Sequence, residues 1–278
     1  MKEEPMENRN RFLYNLIKLN LTMLLKQRKV IVPEPLEENS FNWLGHSTVS
    51  MNIRGVRIIT DPVFENSFGF FRRKYILDSR NHMNTDIVLI SHEHMDHYSL
   101  KSLKRFKGNP RIIVPPGYGT NLISTGFRNV TELKHDETYN QGPVTIRAIE
   151  LAHDGRRYYK GILKPTNGYE ITYGEGRIII MGDTAYTDVL AGNECSIAFL
   201  PVGNYLPESL SYMHSSPDDA YRMFKGMNGG LFFPIHYQAF QFALDDDENT
   251  ALKLLSLQSS DPRVLPGEIG RTYPLHRP

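Results

Sequence analysis

The sequence predicts an α/β protein: open sheets with helical cover, preceded by a separate amino-terminal helix. Two observations carry this. From Phe41 onward, short β-rich apolar runs alternate with turn signals, and only a few short helical stretches interrupt them. Before Phe41 the periodicity changes to the three- and four-residue steps of a basic amphipathic helix. The expected division is an extension over 1–35 and a body over 36–278. A chain of 278 residues with a net charge of +1 can bury a full core.

The extension comes first. Between Asn8 and Pro33 there is no acid, while Arg9, Arg11, Lys18, Lys26, Arg28 and Lys29 are basic. Phe12, Leu13, Leu16, Ile17, Leu21, Leu24 and Leu25 are apolar, and polar residues recur at Arg11, Asn15, Lys18, Thr22, Lys26 and Lys29. Such a helix either packs on the body or lies on anionic lipid, where it would form the mouth for a lipid substrate. The peripheral membrane contact, if made, falls within residues 8–32. Lys18 and Asn20 interrupt the apolar run too early for a membrane span, and no small-residue cleavage site marks a secretory signal. Pro33 and Pro35 close the segment.

In the body, "TVSMNI" and "VRIITDP" are two strands joined through Arg54-Gly55, and "TDIVLISH" is a buried strand. "SLKSLKRF" is a short helix. "RIIVPP", "VTIRAIELAH", "RIIIMGDT", "SIAFLPVG" and "GGLFFPIHY" are further strands, with "SPDDAYRMFKGM" a helix capped by Ser216 and started by Pro217. The tail after about Asp261 is expected to wrap the surface. Several strands end in a histidine or an acid, where a sheet anchors a ligand that a loop presents.

The single cysteine, Cys195, excludes an internal disulfide and the thiolate zinc motifs, so any metal site uses His, Asp or Glu. The charge balance gives no reason to expect nucleic acid. From cysteine usage and the missing signal the expected location is the cytoplasm, or the inner membrane face if the helix meets lipid.

"SHEHMDH" (91–97) puts three histidines and two acids in seven positions. His92 and His94 project one way, and Asp96 and His97 turn to another side, so one loop can serve two neighbouring metals. It cannot complete either shell. The other strand ends offer His153, Asp183 and His236. Singly, each is as readily a structural histidine or a loop acid; jointly they point to a metal site.

Here the sequence resembles the metallo-β-lactamase superfamily. "SHEHMDH" matches its His-x-His-x-Asp-His signature, and His153, Asp183 and His236 fall in the order of its later motifs, over roughly residues 40 to 245. The resemblance implies a four-layer αββα sandwich. It also implies that His92, His94 and His153 hold one divalent ion, that Asp96, His97 and His236 hold a second, and that Asp183 bridges them. Zinc is the default for this ligand set, with manganese or iron as alternatives. The flanking words "NWLGHSTV", "TDPVF", "FGFFRRK", "MGDTAYTD", "MHSSPDDA" and "PIHYQAF" are similar to the branch containing N-acylphosphatidylethanolamine phospholipase D, beside the branch of ascorbate-phosphate lactonases.

The implied chemistry is hydrolysis by a metal-bridging hydroxide, at phosphorus for a phosphodiester or at a carbonyl for a lactone. The catalytic candidates are His214, as a substrate contact or proton donor to the leaving group, and Asp96, through its place as a ligand. His46 and Asp61 are assigned to orienting ligands by hydrogen bonds. Arg72 and Arg73 in "FFRRKY", together with Tyr186, are candidate substrate contacts, with Thr184 also beside the pocket. The cationic loop and helix favour a lipid phosphodiester. A soluble lactonase or sugar-phosphate hydrolase, and a non-catalytic metal-binding protein, are the alternatives. His82, His135 and His276, outside any motif, are expected at the surface.

Overall fold

The structure is a computed structural model that describes residues 6–157 and 162–275, so His276 lies outside the described residues, as does the side chain of Arg9. Alternation of side chains along the strands builds its layers. Ile58, Ile87, Leu89 and Ile113 point to one apolar cluster, whereas Ile59, Val88, Ile90, Ile112 and Val114 point to another. Strands apolar at both parities must be covered on both faces. The first sheet is therefore a middle layer.

Its seven strands lie in the order Val130–Glu132, Arg111–Val114, Ile87–Leu89, Val56–Thr60, Val49–Ile53, Ser40–Trp43, Thr272–Pro274. The second sheet has six, in the order Thr138–Gln141, Val144–Glu150, Asn167–Tyr173, Gly176–Ile180, Glu194–Pro201, Asn228–Ile235. Between the sheets pack Phe41, Trp43, Ile146, Ile171, Phe199 and Phe233. Leu103 and Leu122, from the short helices Leu100–Leu103 and Gly119–Ser124, cover the outer face of the first sheet. The helix Pro217–Gly226 covers the second, its Phe224 ring stacked on Phe232 at 5.6 Å. The result is the αββα sandwich. Each sheet has a parallel half, Val56–Thr60 through Val130–Glu132 in one and Gly176–Ile180 through Asn228–Ile235 in the other.

The expected strands and the Ser216-capped helix are present, with Ser216 and Asp219 forming a reciprocal capping box. The strands Ser40–Trp43, Val130–Glu132 and Thr138–Gln141 and the helix Gly119–Ser124 were not read from the sequence, and two further elements escaped it for a clear reason. Asn167–Tyr173 carries Glu170 in its middle, which reads as a break, but Arg147 faces it across the ladder and pairs with it at 3.0 Å. Asp247–Ser260 is a helix capped by Asp246 whose buried residues are only Thr250 and Leu254, a stripe too thin to read. The tail is also corrected: Thr272–Pro274 pairs with Ser40–Asn42 as an edge strand, and Val264 and Leu275 are core residues.

The amino-terminal helix, Met6–Leu25, packs on the body through Leu16 and Asn20. The Asn20 amide donates to the carbonyls of Gln241 and Leu16, both at 2.9 Å. Leu13, Tyr14, Ile17, Leu21, Leu24 and Leu25 remain exposed. The apolar ridge thus faces out and an asparagine faces in, because distant carbonyls on the body satisfy the amide. Among the described residues no helix is long and apolar enough to cross a membrane.

Candidate metal centre

Parallel strands end together, and ligand sites form at their carboxyl ends. Asp61 follows Val56–Thr60, the histidine loop follows Ile87–Leu89, Asp183 follows Gly176–Ile180, and His236 follows Asn228–Ile235. His153 follows the antiparallel strand Val144–Glu150, and His46 the turn after Trp43. The two sheets meet here. His236 N–H donates to His46 O at 3.0 Å, and the Trp43 indole donates to the same carbonyl at 2.7 Å.

His46, Asp61 and His236 have φ of 55°, 38° and 67°. This left-handed region is unfavourable for such residues and occurs where a site demands it. Close approach needs glycines: a Cβ on Gly203 would lie 2.1 Å from His236 O, and one on Gly182 would lie 2.6 Å from Ser91 Oγ.

Two groups emerge, His92, His94, His153 and Asp183 in one, and His46, Asp96, His97 and His236 in the other, each with ligand atoms within 4.8 Å of one another. Asp183 spans both. Its Oδ1 lies 2.8 Å from His236 and 3.2 Å from His97, while its Oδ2 faces His92 at 3.8 Å and His153 at 3.9 Å. One carboxylate oxygen per group is the arrangement a bridging ligand requires.

The outward nitrogens of His94, His97 and His153 are engaged. His153 Nδ1 donates to Met213 O at 2.8 Å, His94 Nε2 to Arg156 O at 3.1 Å, and His97 Nδ1 to Asp61 at 2.8 Å. Nε2 of His92, His97 and His236 and Oδ1 of Asp183 are buried and make no well-formed hydrogen bond, facing one another at the centre. Buried polar atoms left bare are costly. Bare imidazole lone pairs beside carboxylates form a donor set suited to divalent first-row metals, so these residues fit the expected ions. His46 Nε2 reaches Asp96 Oδ2 at 2.8 Å and holds that carboxylate in place.

Burial dominates the titration of the first group, lowering His92 well below the ordinary imidazole value and His153 to about 3. In the second group burial also acts to lower His97 and His236 but is outweighed by Asp183, with Asp96 adding to it. His97 is raised, and His236 reaches about 9. Burial penalises the charge on Asp183 and Asp96, yet the surrounding imidazoles hold both well below the usual carboxylate range.

A cavity of about 300 Å³ opens on this centre. His94, Asp96, Asp183 and His214 form its polar floor, and Phe12, Phe71, Met95, Leu210, Phe242 and Ala243 its walls. Among the described residues its cationic lining residue is Arg157, whose Nη1 is held by the carbonyls of Glu93 and Tyr98 at 3.2 and 3.3 Å. Composition did not signal Arg157 or these aromatics. A larger polar depression, of about 710 Å³ around Arg57, Lys107 and Arg111, contains none of the histidines.

Several sequence assignments are corrected. Arg73 is 1% exposed, and its guanidinium donates to Val63 O, Glu65 O and the Tyr75 hydroxyl and lies over the Phe240 ring, so it is a core residue and not a substrate contact. Arg72 donates to Leu24 O, fastening the amino-terminal helix to the hairpin of Ser67–Phe68 and Phe71–Arg72. Tyr186 stacks with Arg222 at 4.1 Å, and neither it nor Thr184 lines the cavity. Thr184 is buried, bonded to Ala152 N and Ala185 O. His82, expected at the surface, is buried against Ser50 Oγ at 3.0 Å, whereas His135 is half-exposed.

An αββα sandwich with histidines and carboxylates gathered at its strand ends defines a metallohydrolase class of protein. A profile described as "Beta-lactamase superfamily domain" matches residues 56–237, and the chain belongs to that superfamily. Among its relatives, the mitochondrial N-acyl-phosphatidylethanolamine-hydrolyzing phospholipase D of Saccharomyces cerevisiae is 30% identical over 241 residues, 75% of this chain and 51% of the relative. N-acyl-phosphatidylethanolamine-hydrolyzing phospholipase D 1 of Caenorhabditis elegans is 28% identical over 228 residues, 71% of this chain and 63% of the relative. The chain thus spans between half and two thirds of the length of these curated relatives. In fold it is similar to an isothiocyanate hydrolase from Delia radicum gut bacteria, with a TM-score of 0.70 at 18% identity, covering 84% of this chain and 98% of that one.

Proposed function

We propose that the protein is a dinuclear metal-dependent phosphodiesterase that cleaves N-acylphosphatidylethanolamine-like lipids in the manner of a phospholipase D. The observation that carries this reading is the cavity: apolar walls, Arg157 and the His/Asp floor suit a phosphate attached to an apolar chain. A sugar phosphate or small lactone would leave those walls unmatched. The names of the curated relatives support the same substrate.

In this reading His92, His94 and His153 would hold one ion and Asp96, His97 and His236 the other, with Asp183 offering an oxygen to each group and zinc the metal expected. Two bound ions would acidify a water and stabilise charge on the phosphoryl oxygens. Arg157 pairs with a non-bridging phosphate oxygen. Phe12, Phe71 and Phe242 exclude bulk water and seat the first methylenes. Addition of the water oxygen to phosphorus breaks the bond to the ethanolamide oxygen, and His214, whose Nε2 lies 3.4 Å from Asp183 Oδ2, returns a proton to that leaving oxygen. The products balance as phosphatidic acid and N-acylethanolamine.

Metal-loaded protein is incubated with an N-acylated phosphatidylethanolamine in mixed micelles, and both products are followed by mass spectrometry. The expected outcome is both products from the wild type and neither from His94→Ala. No product from protein that binds two metals and opens a lactone would replace the lipid reading by the soluble lactonase.

A further inference from the structure

Ser91 immediately precedes the histidine loop, and no motif singles it out. It is 3% exposed. Its hydroxyl lies 2.6 Å from Asp61 Oδ2 and 2.9 Å from His92 Nδ1, and its backbone N–H donates to Asp61 Oδ1 at 2.7 Å. Asp61 Oδ2 also accepts from His97 Nδ1 at 2.8 Å. Asp61 is itself 3% exposed, so water does not compete for these bonds.

We infer that Ser91 is a positioning residue that couples the two histidine groups through Asp61. A carboxylate accepts only, so the serine hydroxyl must donate to Asp61; its oxygen then accepts the Nδ1 proton of His92. The same carboxylate takes the Nδ1 proton of His97. Both rings thereby keep their proton on Nδ1, which turns both Nε2 atoms toward the centre as prospective metal ligands, where neither makes a well-formed hydrogen bond. His92 belongs to one group and His97 to the other, so one carboxylate sets a ligand of each. Gly182 makes room for the arrangement, since a Cβ there would collide with Ser91 Cβ and Oγ.

This inference rests on the metal-binding reading of the groups, and its test separates the two. Metal-free wild-type protein carrying ¹⁵N-histidine is examined by NMR. His92 is expected as the neutral Nδ1–H tautomer and His97 with its Nδ1 proton held on Asp61, and Ser91→Ala is expected to release His92 while far-UV circular dichroism stays unchanged. An Nε2–H tautomer for His92 in the folded wild type overturns the relay whatever the metal content. Affinities are then measured by zinc competition against a chelator, with metal counted by mass spectrometry. Ser91→Ala is expected to weaken both zinc sites by about 10- to 100-fold. Combining it with Asp61→Asn should cost no more than Asp61→Asn alone, and purely additive losses would overturn the coupling. Wild type with the expected Nδ1 protons that binds no zinc would sink the metal reading and leave the hydrogen-bond relay standing.

Discussion

Arg73 and Arg157 show how far the role of an arginine depends on its surroundings. Arg73 makes three charge-assisted hydrogen bonds in the core, each worth about 1.5–3 kcal/mol. Arg73→Ala should therefore lower unfolding stability by more than about 3 kcal/mol in urea titrations. Arg157→Ala should leave stability within about 1 kcal/mol and reduce kcat/KM for the lipid at least tenfold. Similar stability losses in the two variants would contradict this division. His82 is buried, and its pKa is lowered by burial to about 4. Between that value and the ordinary 6.5 the unfolded chain binds a proton that the fold does not. The contribution is present above pH 6.5 and is lost as pH falls toward 4, amounting to about 3 kcal/mol. Denaturation of wild type and His82→Gln at pH 7, 5.5 and 4.5 checks this; the variant should lose less stability across the window.

The amino-terminal helix bears most directly on a lipid substrate. Its buried line holds it to the body, Phe12 reaches the cavity wall, and its apolar ridge lies exposed beside Arg11, Lys18 and Lys26. As part of the proposed lipid reading, this ridge meets an anionic bilayer with the cavity opening next to it. Leu21→Glu together with Leu25→Glu should reduce co-sedimentation with phosphatidylserine-containing vesicles at least tenfold, since each buried leucine contributes about 1.5–3 kcal/mol. Hydrolysis of a water-soluble phosphodiester should not change. Undiminished vesicle binding would remove the helix from the lipid reading. Its direction was beyond sequence pattern: a 3.6-residue period separates two faces but not inside from outside, and here Gln241, 221 positions away, decides.

The two sheets are joined at one end by the histidines and carboxylates, so metal should stabilise the entire sandwich. His97 and His236 crowd onto the single Oδ1 of Asp183, at 3.2 and 2.8 Å, so the buried donors and acceptors outnumber the bonds they can make with one another. A ligand at a thousandfold excess over its Kd adds about 4 kcal/mol. Chelation should accordingly lower Tm and abolish hydrolysis, with both restored by a divalent metal. Calorimetry alongside metal analysis measures this; an unchanged Tm after complete metal loss would count against ions spanning the sheets.

The sequence by itself determined the strands with strong apolar runs, the capped helix, the superfamily and the residues gathered at the strand ends. These are local features: an apolar run, the polar residue that stops it, and a seven-residue word. Tertiary structure alone decided that Arg73 and His82 are buried, that Glu170 lies inside a strand, and that Phe12, Phe71 and Phe242 wall a cavity with Arg157. It also decided which nitrogen each histidine turns inward. Those outcomes depend on acceptors far along the chain, as with His153 and Met213 or His97 and Asp61, and side-chain chemistry read in order cannot say which distant carbonyl or carboxylate will arrive.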